Sequence, residues 1–178
     1  PGQVLTGLNE HLDHLLGGLH DTLFATACYL RFDMKNGSVA LANAGHPPPF
    51  YVDRDAGRAD PLPPPDPEPA LGLLAQHPYA THVRTVSPGG CVVLYTDGLY
   101  DAMDAEGRIF GLEALRDAVA RHGRHAASAL IDRIRGEVAR FAGEESAGDD
   151  VCMIAVEITE ADAPPAPGHR FKDRQTAR

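Results

Sequence analysis

Apolar residues recur at helical spacing over residues 3–18, where Val4, Leu5, Leu8, Leu12, Leu15 and Leu16 form one stripe. Gly17-Gly18 ends that helix. The period then shortens. Phe24 to Phe32 reads as a strand, Lys35-Asn36-Gly37 as a hairpin turn, and Ser38 to Asn43 as the returning strand. Ala44-Gly45-His46-Pro47-Pro48-Pro49 breaks the pattern, and Phe50-Tyr51-Val52 resumes it briefly. Residues 53–70, dense in proline and aspartate, read as loop. A further strand runs from His82 to Val86. Ser87-Pro88-Gly89-Gly90 then turns the chain into an apolar run that ends at Asp97. One helical turn is expected over Leu99–Met103, and a tight turn over Asp104–Gly107. Gly111 to His122 is a helix with Leu112, Leu115, Ala118 and Val119 on one face. Residues 125–142 form a longer one, with Leu130, Ile131, Ile134, Val138 and Phe141 inward. Glu144 to Gly148 is a polar loop, and Val151 to Ile158 is the last strand. Clustered strands with short turns, and helices in blocks, predict an α+β fold with mostly antiparallel sheet.

Two strands carry acid at one end. Cys91-Val92-Val93-Leu94-Tyr95-Thr96 runs into Asp97-Gly98, and Gly148-Asp149-Asp150 precedes the run Val151–Val156. If the two strands lie side by side and antiparallel, their carboxylates meet at one sheet edge. Hard divalent cations favour oxygen ligands in that arrangement. The ordinary alternative for Asp97 is a turn aspartate capping the helical turn after it. Gly98 permits close backbone approach beside it. Asp149 and Asp150 repel each other, and adjacent strand residues point to opposite faces. One faces the site and the other caps a loop or meets water; residue chemistry leaves the choice open. His46, in the turn Gly45-His46-Pro47, is a candidate acid, base or phosphate ligand, or a turn histidine packed under a proline-rich loop.

Composition narrows the setting. The 178 residues suit one domain with its own core, and 43% apolar content is ordinary for a globular chain. Cys28, Cys91 and Cys152 have no paired spacing and sit in apolar runs, so buried free thiols in a reducing, cytoplasmic setting are expected. No apolar stretch reaches the roughly 18 residues that span a bilayer, and no signal peptide opens the chain, so no membrane partner is expected. The net charge of −9 argues against nucleic-acid binding. The acid is unevenly spread: Arg170, Lys172, Arg174 and Arg178 face only Asp173 near the C-terminus, which leaves −12 on the first 167 residues. The division expected is a domain over 1–160 and a disordered tail over 161–178, proline-rich and then basic. The chain opens on Pro1 rather than Met, so a fragment or a processed product is expected.

Five short motifs follow in order: Ala42-Asn43-Ala44-Gly45-His46-Pro47-Pro48; Leu71-Gly72-Leu73; Pro88-Gly89-Gly90 leading into Leu94-Tyr95-Thr96-Asp97-Gly98-Leu99; Phe110-Gly111-Leu112-Glu113; and Asp149-Asp150-Val151. Each alone is weak; the ordered set is specific. Over roughly Pro1 to Ile158 the chain resembles the SpoIIE/RsbU-type branch of the PPM (PP2C-like) metal-dependent serine/threonine phosphatases. The resemblance implies a β-sandwich flanked by helices, with a binuclear Mn²⁺ or Mg²⁺ centre at one end of the sheets. It also implies that a metal-activated water would attack phosphorus in line, without a phospho-enzyme. It assigns Asp97 and Asp149 as ligands of one metal, and leaves Asp150 a polar, non-principal position. The implied substrates are phosphoserine or phosphothreonine on STAS-type anti-anti-sigma proteins.

The chain departs from that pattern. The family carries Gly-Asp-x-x-Gly-His-Gly upstream of the first helix, and its aspartate bridges the metals. Residues 1–178 hold no such motif, and the strands before it are missing too. A sandwich lacking its first strands, a weakened metal pair and little activity for this chain alone are therefore expected. Exposed sheet edges would favour a homodimer. Asp101 stands where glutamate is common, and Cys152, a packing residue in this reading, where threonine is common. The competing reading is a degenerate, non-catalytic module that binds regulatory partners through the former substrate surface.

Overall fold

The computed structural model describes residues 1–16, 23–62, 66–143 and 150–159. Helix α1 (Gly2–Leu16) is followed by strands β1 (Ala27–Asp33), β2 (Ser38–Ala44), β3 (Phe50–Asp53), β4 (Arg58–Pro61), β5 (His82–Thr85) and β6 (Cys91–Tyr95). Helices α2 (Leu112–His122) and α3 (Ala127–Ala142) and strand β7 (Met153–Glu157) complete the order. Two sheets form, β1-β2-β5 and β4-β3-β6-β7, and every pairing between these strands is antiparallel.

The layers follow from the alternation of side chains along each strand. In β2, Val39 and Leu41 point to the second sheet, where they join Tyr51 and Val92 in an inter-sheet core. Ala42 and Ala44 point the other way, onto Leu5 of α1. In β6, Val92 faces the first sheet. Cys91, Val93 and Tyr95 face Leu115, Val119, Leu130 and Ile134 on α2 and α3. The result is a helix–sheet–sheet–helix sandwich with an apolar layer at each interface, and it confirms the α+β expectation. Polar clips hold the second helical layer. Glu137 of α3 receives Arg121 Nη2 at 2.7 Å and meets His122 Nε2 at 2.5 Å, both from α2. Arg54 reaches from the end of β3 to the carbonyls of Gly123 and His125, each at 2.8 Å.

Several sequence expectations shift. Helix α1 is where the periodicity put its start, but its buried positions are Gly2, Leu5 and Asn9. Val4, Leu8 and Leu15, expected inward, are exposed. The rotation is set by the segment beneath the helix: Asn9, 0% exposed, donates to the Leu74 carbonyl and accepts from the Gly72 amide, both at 2.8 Å. A Cβ on Gly2 would lie 2.2 Å from the Tyr79 carbonyl oxygen, so only glycine permits this approach. Strand β1 starts at Ala27 rather than Phe24, and Leu112 is exposed. The proline-rich stretch read as loop contains β4, which pairs with β3 despite its polar sequence. The cysteines are free, as expected among the described residues, but only Cys91 is buried. Cys152 is exposed because it lies before β7 begins, so it does not pack in a core. Gly17-Gly18, the loop 144–148, Asp149 and the tail lie outside the described residues.

Ile134 is fully shielded at the junction of α3, α2 and the second sheet. Ile134→Ala should cost about 2–5 kcal/mol of unfolding free energy. A lowered urea midpoint with an unchanged slope would show it; an unaltered midpoint would contradict this packing.

Candidate active site

The acidic strand end is built by pairing. Strand β6 lies antiparallel to β7, with Tyr95 opposite Met153. Beyond Tyr95 the contact continues through Thr96. Its amide donates to the Cys152 carbonyl at 3.1 Å. Its hydroxyl donates to the Asp150 carbonyl and accepts from the Cys152 amide, both at 2.9 Å. Thr96 thus clasps the lead-in to β7 against the end of β6.

Asp97 opens a 3₁₀ turn, Asp97–Leu99, rather than closing the strand. The helical turn comes two residues earlier than the apolar pattern suggested. Three interactions fix it. The Gly98 amide donates to Asp97 Oδ1 at 3.0 Å, and the Tyr100 and Asp101 amides both donate to the Asp97 carbonyl at 2.9 Å. Gly98 is buried, and Asp97 is exposed at the mouth of the turn. Asp101 is exposed and contributes its backbone to the turn.

His46 is brought to the same place from another strand end. Asn43, the last polar residue of β2, brackets it: the His46 amide donates to Asn43 Oδ1 at 2.8 Å, and Asn43 Nδ2 donates to the His46 carbonyl at 2.7 Å. Gly45 adopts φ +66°, and a Cβ there would sit 2.9 Å from Ala70. The Tyr95 hydroxyl donates to the Pro48 carbonyl at 2.8 Å and ties this loop to β6. Together the loop and the Asp97 turn enclose a pocket of about 430 Å³. Its walls include Asn43, His46, Thr96, Asp97 and Tyr100, with Thr26 and Glu68. Thr26, Tyr100 and Glu68 carried no motif that could have flagged them. Glu68 lay in the stretch read as plain loop.

Burial holds the His46 imidazole below its ordinary value of 6.5, while the Asp97 charge and a hydrogen bond that the ring donates to the Tyr95 backbone pull it up. The net direction keeps His46 neutral more readily than in the unfolded chain. As a metal centre the described residues are incomplete: among them no group of three or more His, Cys, Asp or Glu side chains gathers as a cation requires. Asp97 is one carboxylate where a hard divalent ion needs several oxygens. The described residues therefore do not by themselves fit a binuclear centre.

Two outcomes follow. Thr96→Val removes a donor from the Asp150 carbonyl and an acceptor from the Cys152 amide, so it should destabilise the fold by about 1–3 kcal/mol. Faster amide exchange at Cys152 would mark the loss. Because the folded pKa of His46 is depressed, the unfolded state takes its proton first. The contribution of His46 is complete above pH ~6.5 and is lost as pH falls through the folded pKa. His46→Asn should flatten the fall in urea midpoint between about pH 7.5 and about pH 5. An unchanged slope would show that His46 carries no such linkage.

The family described as Stage II sporulation protein E (SpoIIE) matches residues 1–159. Protein IcfG of Synechocystis sp. (strain ATCC 27184 / PCC 6803 / Kazusa) is 28% identical over 134 residues, covering 75% of this chain and 20% of its own length. The phosphoserine phosphatase RsbP of Bacillus subtilis (strain 168) is 26% identical over 159 residues, covering 89% of this chain and 37% of its own. The chain thus spans well under half of either curated relative. Among solved structures, the SiaA-PP2C domain of Pseudomonas aeruginosa superposes with a TM-score of 0.74 at 20% identity, covering 89% of this chain and 61% of that one. That likeness concerns the fold. With the family match spanning residues 1–159, the chain belongs to the SpoIIE family, and its sandwich shares the fold of a PP2C domain.

Proposed function

We propose that this chain is the greater part of a SpoIIE-type protein serine/threonine phosphatase domain. Its substrate in this reading is phosphoserine or phosphothreonine on a small STAS-type anti-anti-sigma protein. The observation that carries the proposal is the junction of β6 and β7. There Thr96 clasps the Asp150 carbonyl beside the Asp97 turn, at the mouth of the pocket that holds His46. Asp97 and Asp149 are the proposed ligands, with Mn²⁺ or Mg²⁺ as the ion. When bound, such an ion supplies an activated water for attack on phosphorus.

The chain's own residues have narrower tasks. The Gly98 amide orients one oxygen of Asp97, a residue that lines the pocket. Asp150 acts through its carbonyl, which accepts from the Thr96 hydroxyl. His46, held below its ordinary value by burial, offers an imidazole that lines the pocket and can take part in a hydrogen bond there. Asp101 supports the turn from its backbone. In this reading the bridging carboxylate is supplied from outside residues 1–178, by a longer chain that carries Gly-Asp-x-x-Gly-His-Gly ahead of Pro1. A second reading, a non-catalytic module that binds regulatory partners, is favoured by the absence of a three-carboxylate cluster among the described residues.

The assay is Mn²⁺-dependent hydrolysis of p-nitrophenyl phosphate by residues 1–178 and by the extended chain. The extended chain should turn over, and Asp97→Asn should lower its rate by at least about a hundredfold. Residues 1–178 alone should show little turnover and weak Mn²⁺ binding by calorimetry. Tight binding to the short chain would refute the incomplete site. Inactivity of the extended chain, with partner binding intact, would leave the regulatory module standing.

A further inference from the structure

The turn between β1 and β2 holds chemistry that the pocket does not use. It is Met34-Lys35-Asn36-Gly37, with Asn36 exposed. Asparagine is a labile side chain. Before glycine it can react with its own backbone, because no side chain shields the next nitrogen. The Gly37 amide gives its proton to solvent base, and its nitrogen attacks Asn36 Cγ. The new N–C bond closes a cyclic imide, and Nδ2 leaves as ammonia. Water then opens the ring at either carbonyl, which leaves aspartate or isoaspartate at position 36. Water is consumed, ammonia is lost, and nothing is oxidised or reduced.

The fold sets a restraint on this step. Asp33 Oδ2 accepts Asn36 Nδ2 at 2.8 Å, and Oδ1 accepts the Lys35 and Asn36 amides, each at 3.1 Å. The carboxamide that must swing over the Gly37 nitrogen is thus tied back to Asp33. Gly37 is held as well: it has φ +57°, and its carbonyl accepts the Val86 amide at 2.8 Å. We propose that Asn36 is a site of spontaneous deamidation and that Asp33 is the residue that restrains it in the folded chain. The Asn36 carboxamide, and then its amide, hold Asp33 below the usual carboxylate range, so the restraint keeps its charge wherever base drives the reaction. The product loses the Nδ2 donor and sets a second carboxylate against Asp33, where like charges repel. Isoaspartate also adds a backbone methylene to the turn of the hairpin that supplies Asn43 and His46. None of this depends on a catalytic role for the pocket.

Peptide mapping by mass spectrometry tests both halves. Residues 1–178 are incubated at mildly alkaline pH, folded or unfolded in urea, and the exchange of amide for acid at Asn36 is followed with time. The unfolded chain should convert at Asn36, and Gly37→Ala should slow that conversion. The folded chain should convert more slowly, and Asp33→Ala should speed it by at least about fivefold. Asp33→Asn, which keeps an acceptor for the turn, should fall between the two and preserves the comparison if the alanine variant does not fold. Ile134→Ala, which weakens the core under α3, should leave the folded rate unchanged. No conversion at Asn36 in the unfolded chain would overturn the inference. So would equal folded rates with and without the Asp33 carboxylate, or an equal acceleration by Ile134→Ala.

Discussion

Everything near the site depends on strand β6 having no face in water. It is flanked in its sheet by β3 and β7, covered on one side by the other sheet and on the other by α2 and α3. Cys91, Val92 and Val93 are each 0% exposed. No polar side chain is tolerable in such a run without a partner. The first place a carboxylate can stand is where the strand emerges, and Asp97 stands there. The apolar stretch and the acid after it are thus one feature: burial selects the strand, and its end selects the position of the charge.

The pocket assembles from three chain segments distant in sequence. The hairpin β1–β2 delivers Asn43 and His46, β6 delivers Thr96 and Asp97, and the proline-rich segment before Ala70 delivers Glu68. Short polar contacts lock them together. Asn43 holds the His46 turn at both amide and carbonyl, and the Tyr95 hydroxyl pins the Pro48 carbonyl to the strand that leads to Asp97. Each such contact contributes modestly, about 1 kcal/mol net. Their value is positional, because they hold loop backbone against a rigid sheet, where binding groups are best placed.

Much of this was legible in the chain itself, for identifiable reasons. The strands β2, β3 and β6 are apolar or β-branched and bounded by glycine and proline, so their periodicity and their ends were plain. The acid at the end of one run and the start of another posed the antiparallel meeting of β6 and β7 as a condition, and the strand pairing meets it. The misreadings share a cause. Strand β4, Arg-Ala-Asp-Pro, has no strand pattern; it exists because β3 offers a pairing edge. The face of α1 was misjudged because a buried asparagine, paired to the Leu74 carbonyl and the Gly72 amide, outranks leucines that have nothing to pack against.

By itself the sequence determined the order of the elements other than β4, the buried central strand and the acidic residue at its end, because those are local consequences of hydrophobicity and turn chemistry. Only the tertiary structure decided which side chains share a pocket. It put Asp97 in a 3₁₀ turn, with Gly98 as its partner. It set His46 and Glu68 in the same walls, 22 residues apart in the chain but separated by the paired strands β3 and β4. Such meetings depend on register and layer packing between distant segments, and no local pattern encodes them.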